Sequence, residues 1–133
     1  MCDIRHVITS ILLITLMAGC DTTSSIESDV LIRIQNNSSY TLNDLKVVFP
    51  EDEVAYGDVS GGKKSGYEQV IKAYRYAYIE TVVREKKLVL QPIDYVGESL
   101  LDHGRYTYEL SIHEETYNSE NYRYSLSLQL TED

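Results

Sequence analysis

The end of the chain alternates between apolar and polar side chains more regularly than any other part of the sequence. From residue 122 to residue 130 the apolar positions are Tyr122, Tyr124, Leu126, Leu128 and Leu130. The positions between them are Arg123, Ser125, Ser127 and Gln129. A period of two residues predicts a β-strand with one buried face and one face in solvent. Such a strand needs a second layer over its apolar face, so the pattern favours a layered β-architecture.

Other segments carry strand patterns as well, and turn residues separate them. They are residues 30–34, 45–49, 54–59, 67–83, 88–90 and 106–112. We expect segment 54–59 to be a short edge strand, segment 67–83 to be one long or bent central strand, and residues 114–121 to be an acidic loop. Residues 98–101 have room for one helical turn. The spacing predicts an all-β domain, a single antiparallel β-sandwich of about seven strands.

An apolar run over residues 7–19 ends directly before Cys20. Its 13 residues are too few to span a bilayer core, which needs about 20, but they suit the helical core of a signal peptide. The order Leu16, Met17, Ala18, Gly19, Cys20 resembles the lipobox of bacterial lipoproteins. This resemblance implies a diacylglycerol on the Cys20 thiol, cleavage before Cys20 and acylation of the new N-terminus.

This interpretation divides the chain into three parts. We expect a signal peptide over residues 1–19, the lipidated Cys20 and a tether over residues 20–28, and the sandwich over residues 29–133. The whole chain resembles small lipoproteins of Gram-negative bacteria, which implies a cell-envelope protein whose partner is the membrane, through Cys20. Asp21 resembles an inner-membrane retention signal of enteric-type bacteria. We favour the outer membrane, and the sequence leaves the inner membrane open.

Composition excludes several classes of function. Twenty-one acidic residues against 12 basic ones give a net charge of −9, which argues against nucleic acid as a partner. Cys2 is lost with the signal peptide, so no disulfide is available to the mature domain. The two histidines of the domain, His103 and His113, lack metal-ligand spacing. We therefore expect no cofactor, no metal and no catalytic residues.

One motif resembles a known structural device. Asp102, Gly104, Tyr106 and Tyr108 follow the order of the tyrosine corner of immunoglobulin-like domains, with Tyr108 in the place of the disulfide cysteine. The resemblance implies a structural role for Asp102, Gly104 and Tyr106, in which the Tyr106 hydroxyl binds nearby backbone. The same residues are equally similar to the last strands of transthyretin-like sandwiches, so both strand orders stay open.

Tyrosine is the unusual residue of this chain, with 12 Tyr, one Phe and no Trp. Tyr rings either fill the core in place of Phe or form binding patches. Four of them lie near predicted loops: Tyr40, Tyr56, Tyr95 and Tyr117. We select Asp94, Tyr95 and Tyr117 as the candidate binding surface. The prediction is a lipid-anchored, non-enzymatic envelope module that binds a protein or glycan. A structural subunit with an exposed strand edge, or a small enzyme or inhibitor, is the alternative.

Overall fold

A computed structural model describes residues 29–93, 97–118 and 121–133 of the chain. Over these residues the protein is all-β and contains no helix. The described residues form eight strands rather than about seven: β1 (Val30–Asn36), β2 (Leu42–Val48), β3 (Glu53–Val59), β4 (Glu68–Val70), β5 (Tyr78–Val83), β6 (Lys86–Leu90), β7 (Gly104–Asn118) and β8 (Asn121–Glu132).

The strands form two four-stranded sheets that share one core. The first sheet has the order β4-β1-β7-β8, and the second has the order β3-β2-β5-β6. The ladders are antiparallel, with the exception of β1 and β7, which run parallel from Val30 opposite Gly104 to Asn36 opposite Leu110. The expected sandwich is therefore present, but it is not purely antiparallel.

Segment 67–83 is not the single long strand that its alternation predicts. Its first part, β4, pairs with β1 in the first sheet, whereas its last part, β5, pairs with β2 in the second sheet. Residues 71–77 cross between the sheets without strand structure. Ala73 and Ala77 are buried in this crossing, whereas Arg75 and Tyr76 between them are exposed, so the burial of the crossing does not follow the period of a strand.

The predicted acidic loop over residues 114–121 is also wrong for most of its length. Strand β7 continues to Asn118, and β8 begins at Asn121. Glu114 lies opposite Tyr124, and Thr116 lies opposite Tyr122, so cross-strand pairing overrides the loop composition. The helical turn considered at residues 98–101 is not formed.

Alternating side chains of both sheets build the core. The first sheet contributes Val30, Ile32, Ile34, Tyr106, Tyr108, Leu110, Tyr124 and Leu126, and the second contributes Leu42, Leu45, Val47, Val59, Ile79, Val83 and Leu88. Phe49 and Tyr108 stack with ring centroids 6.1 Å apart. The predicted alternation of the last strand is visible in part, since Tyr124 and Leu126 are buried on either side of the exposed Ser125, whereas Tyr122 on the same face is exposed.

The sandwich has two different ends. At the proximal end, where Val30 begins β1, lie the connections 49–52, 71–77, 91–93 and 97–103. At the distal end, where β1 stops at Asn36, lie the connections 37–41 and 60–67 and the turn at 84–85. Strands β7 and β8 run on past Asn36 as a hairpin at the distal end. The two ends differ in chemistry, as described next.

Candidate binding surfaces

The predicted binding residues are not brought together in the described part of the protein. Asp94 and Tyr95 lie outside the described residues. Tyr117 is 69% exposed near the end of β7, and its hydroxyl donates to Glu115 Oε2 at 3.1 Å. Tyr117 therefore belongs to the distal end of the sandwich.

The tyrosine-corner residues lie at the proximal end. The ring of Tyr106 is buried, and its hydroxyl donates to the carbonyl oxygen of Asp102 at 2.9 Å. Burial raises the pKa of Tyr106. Gly104 has a φ of 153°, a conformation that favours glycine, and its N–H donates to the carbonyl of Asp29. The contacts join the start of β7 to the residue before β1.

Three tyrosines and two cations form a continuous group at the distal end, which we call the tyrosine–cation cluster: Tyr40, Tyr122, Tyr124, Arg84 and Lys86. The rings of Tyr40 and Tyr124 meet edge to face at 5.3 Å, and those of Tyr122 and Tyr124 at 5.4 Å. Lys86 Nζ lies 4.1 Å from the centre of the Tyr122 ring, and the Arg84 guanidinium lies 5.3 Å from that of Tyr40. The cluster joins three parts of the chain that are distant in sequence.

A strained turn presents the two cations. Val83 and Lys86 are paired, so the β5–β6 hairpin turns in two residues, Arg84 and Glu85. Their φ values are 48° and 65°. Such turns usually carry Gly or Asn. For a residue of another type, the left-handed conformation costs about 1–2 kcal/mol. The Arg84 guanidinium also donates to the Tyr124 hydroxyl at 3.3 Å. Residual strain of this kind is often found at functional positions.

Tyr40 is held in the cluster by a buried amide. The side-chain nitrogen of Asn36 donates to the carbonyls of Tyr40 at 2.6 Å and of Val59 at 2.9 Å. Its side-chain oxygen accepts from the backbone and the hydroxyl of Ser38. The Tyr40 hydroxyl donates to Glu114 Oε2 at 2.8 Å. This hydrogen bond, together with burial and the neighbouring Tyr124, raises the pKa of Tyr40 to about 12.

The arrangement of the cluster suits anions better than neutral sugars. Cations already lie over the Tyr40 and Tyr122 rings, so those faces are not free for a sugar ring. The rings instead hold the cations in place, an attraction of about 0.5–1 kcal/mol at exposed sites. A cleft of about 360 Å³ lies between β6 and the start of β8. A second, of about 530 Å³, lies between Tyr40 and Arg84.

A groove of different chemistry lies at the proximal end. It has a volume of about 430 Å³ and is lined by Val48, Phe49, Pro50, Tyr74, Tyr76 and Tyr78. Its lining is mainly apolar, and Tyr76 is 47% exposed. The Tyr78 hydroxyl donates to Glu80 at 2.6 Å. This bond, together with Lys46 and Lys87, lowers the pKa of Glu80.

The acidic run at residues 51–53 has protein partners. Glu51 pairs with Lys72 at 3.0 Å, and Asp52 accepts from the backbone N–H of Ile71. Across the ranges 29–93, 97–118 and 121–133, no three residues of the His, Cys, Asp and Glu types are grouped as metal ligands. His113 lies 2.9 Å from the Ser127 hydroxyl.

A second tyrosine network stabilises the outer face of the first sheet. Asp133 accepts hydrogen bonds from Tyr67 and Thr107 and lies 3.4 Å from Arg33. Burial raises the pKa of the Asp133 carboxyl, but these hydrogen bonds and the nearby charges outweigh it, so the net shift lowers the pKa. The network attaches residue 133 to β1 and β7.

Sequence reasoning included Tyr40 among the exposed tyrosines but missed its partners. Residues 84–87 carry only the pattern of a polar turn, and Tyr122 and Tyr124 carry only the pattern of a core-facing strand. The available signal was the short gap, residues 84–87, between the predicted segments 67–83 and 88–90. That gap predicts a hairpin, but it does not reveal that β6 lies beside β8.

In the part of the chain that the structure describes, no helix is long and apolar enough to cross a membrane.

Comparison with known proteins supports the fold. No protein-family model matches the chain, and no curated protein matches it significantly. One solved structure, an NMR structure of a protein from Eubacterium rectale, matches with a TM-score of 0.52. The two chains are 11% identical over 78% of this chain and 91% of the other. At this identity the likeness concerns the fold.

Proposed function

We propose that this protein is a lipid-anchored, non-catalytic binding module of the cell envelope. Its ligand is an envelope glycan or protein that carries acidic groups, bound at the tyrosine–cation cluster. The observation that carries the proposal is the cluster itself, in which aromatic rings fix Arg84 and Lys86 on the side of a strained turn. The anchor is Cys20, and we favour the outer membrane over the inner one.

The local charge supports an anionic ligand. The whole chain has a net charge of −9, which repels anions at long range. Lys86, Lys87 and Arg123 nevertheless line the 360 Å³ cleft, and Arg84 lines the second cleft beside Tyr40. Lys87 is paired with Glu80 at 3.5 Å. Glu114 is bound to Tyr40, so this acid has a partner inside the cluster. The partners of Arg84 and Lys86 are aromatic rings, a hydroxyl and a carbonyl rather than carboxylates, so their charges are available to an anionic ligand.

Strand order supports a transthyretin-like sandwich. In immunoglobulin domains the first two strands are neighbours in one sheet. In this protein β1 and β2 lie in different sheets, and β1 lies between β4 and β7. Of the two sandwich classes that the sequence resembles, we therefore propose the transthyretin-like one. The fold positions the cluster but does not itself assign a function.

The binding proposal is tested with the full, lipidated protein solubilised in detergent. Retention on immobilised alginate, an acidic polysaccharide, is compared with retention on neutral dextran. We expect salt-sensitive retention on alginate that falls at least fivefold in Arg84→Gln/Lys86→Gln. The matched control is Lys63→Gln/Lys64→Gln, which removes the same charge from the distal end outside the cluster. If both double variants lose the same amount of retention on alginate, the effect comes from net charge alone, and the proposed binding site is wrong.

A protein ligand is tested inside cells. A photo-crosslinking residue replaces Tyr122, and the envelope is irradiated. We expect one dominant adduct, whose yield falls when Arg84→Gln/Lys86→Gln is added. Adducts that are spread over many proteins and do not respond to these substitutions would contradict a specific partner.

The anchor is tested separately by Cys20→Ala. The resemblance to lipoproteins implies that the variant loses its acyl mass and leaves the membrane fraction. A variant that stays with membranes and, apart from the substituted side chain, has the same mass as the protein that retains Cys20 would refute the lipid anchor. The alginate assay does not depend on this outcome.

The edge of β3 supports a second candidate, a structural subunit that pairs strands with a partner. Strand β3 ends the second sheet, and in the described residues β2 is the one strand with which it forms a ladder. Unpaired edges can accept another strand. Register shifts in the β2–β3 ladder and the edge acid Glu53 oppose this use. A crosslinker at the exposed Ala55 that gave the dominant adduct would favour this candidate over the cluster.

A further inference from the structure

Exposed apolar side chains are concentrated at the proximal end of the sandwich. Of the seven large hydrophobic side chains that are exposed in the described residues, four lie in the proximal connections. They are Ile71 at 55% exposure, Tyr76 at 47%, Leu100 at 43% and Ile93 at 101%. Tyr76 also lines the apolar groove. Together with this groove they form one apolar end, which we call the proximal face.

The chain leads to this face from Cys20. The first described residue, Asp29, precedes β1 at the proximal end and accepts a hydrogen bond from the N–H of Gly104. Cys20 is nine residues earlier, so a fully extended connection spans at most about 30 Å. Glu114, at the cluster, is ten residues along β7 from Gly104, or about 34 Å. A lipid on Cys20 therefore keeps the proximal end near the bilayer.

The charges of the proximal connections are mixed, and acids outnumber bases: Lys72 and Arg75 stand against Glu51, Asp52, Glu98 and Asp102. Lys72 pairs with Glu51, and Asp52 accepts from the backbone of Ile71. The face therefore has no positive patch that would select anionic head groups. Apolar side chains with a tyrosine among them suit the bilayer interface, where an apolar ring and a wet hydroxyl are both satisfied.

We propose that the proximal face rests on the bilayer, with Ile71, Tyr76 and Leu100 in its interfacial region. The inference rests on the proposed lipid anchor at Cys20. The occupant of the face is lipid, because the tether length brings this end of the domain to the membrane. The contact fixes the orientation of the domain and directs the tyrosine–cation cluster away from the membrane.

The test measures depth at two matched positions. Ile71→Cys at the proximal face and Tyr117→Cys at the distal end are labelled with a fluorophore, since the thiol of Cys20 is acylated in the lipidated protein. Each labelled protein is placed in phosphatidylcholine vesicles that carry a nitroxide quencher at head-group level. We expect at least threefold stronger quenching at position 71 than at position 117. Equal quenching, or stronger quenching at position 117, would overturn the proposal.

Two controls separate the possible failures. Leu100→Cys reports on the same face from another connection and replaces Ile71→Cys if that variant does not fold. Flotation and the acyl mass are measured on the same samples. A protein that neither floats nor carries acyl chains refutes the anchor, and the orientation with it. A protein that floats but is quenched equally at both ends refutes only the orientation.

Discussion

Replacing Asn36 by alanine tests whether one buried amide holds the distal end together. Asn36 is fully buried at the end of β1. Its side chain donates to the carbonyls of Tyr40 and Val59 and accepts from Ser38. Every polar side-chain atom that is buried in the described residues has a partner. Asn36→Ala removes these hydrogen bonds and leaves the backbone groups of Tyr40, Val59 and Ser38 without their side-chain partner.

The expected cost follows from the exposure of each partner. Val59 is buried, so the loss at its carbonyl is expected to cost about 1–3 kcal/mol. Tyr40 and Ser38 are partly exposed and can bind water, so each lost bond there costs about 0.5–1 kcal/mol. The sum is about 3 kcal/mol, which is a large part of the 5–15 kcal/mol that usually stabilises a domain. At roughly 4 °C per kcal/mol, the melting temperature should fall by about 12 °C.

The neighbouring asparagine provides the control. Asn37 is exposed, and its side chain accepts one hydrogen bond, from Gln35. Asn37→Ala should change stability by less than about 0.5 kcal/mol. Both variants are melted by circular dichroism and unfolded in urea. If Asn36→Ala melts within about 2 °C of Asn37→Ala, the amide does not hold the turn, and the account of how Tyr40 is positioned fails.

Three further predictions concern single positions. Tyr106→Phe removes the hydroxyl that binds Asp102 and should cost about 1–2 kcal/mol; an unchanged melting temperature would count against that bond. Gly61→Ala should destabilise strongly, because its Cβ would lie 2.8 Å from backbone atoms, whereas Gly66→Ala meets nothing within 4 Å and should be near neutral in the same melts. The pKa of Tyr40 is raised from 10.0 to about 12 in the folded protein, so the stability it contributes is complete below pH 10 and is lost as the pH rises to about 12. Tyr40→Phe should therefore reduce the alkaline fall in melting temperature, and an identical pH profile would contradict this coupling.

Local patterns predicted the layers of this fold better than its connections. Alternation identified β1, β2, β3 and β8 because each buries one face against the other sheet. It failed at residues 71–77, where the sequence pattern resembles a strand but the chain passes between the sheets and only Ala73 and Ala77 are buried. It failed again beyond Glu114, because an acidic composition does not reveal a paired strand on the other side. Both errors depend on which segments meet, and that information is non-local.

The tyrosines show the same limit at the site. Tyr106 and Tyr108 lie in the core with their hydroxyls bound to backbone carbonyls, as expected of residues that replace Phe. Tyr124 is equally buried and belongs to the same face of β8 as the core leucines. Nothing in its sequence position separates it from them. Arg84 reaches the Tyr124 hydroxyl because β6 lies beside β8. Tyr124 therefore belongs both to the core and to the tyrosine–cation cluster.

The chemical difference between the two ends of the sandwich supports an oriented domain more strongly than the features of either end alone. A tyrosine under a cation is a common surface contact, and single exposed apolar residues need no explanation. In the described residues the fixed cations lie at the distal end, and four of the seven large exposed apolar side chains lie at the proximal end. The chain from Cys20 joins the domain at the apolar end. The proposed anchor would account for this separation, because it would place the apolar end towards lipid and the tyrosine–cation cluster towards the proposed ligand. The anchor and the binding surface therefore support one another, and moving the tether to the distal end should uncouple them.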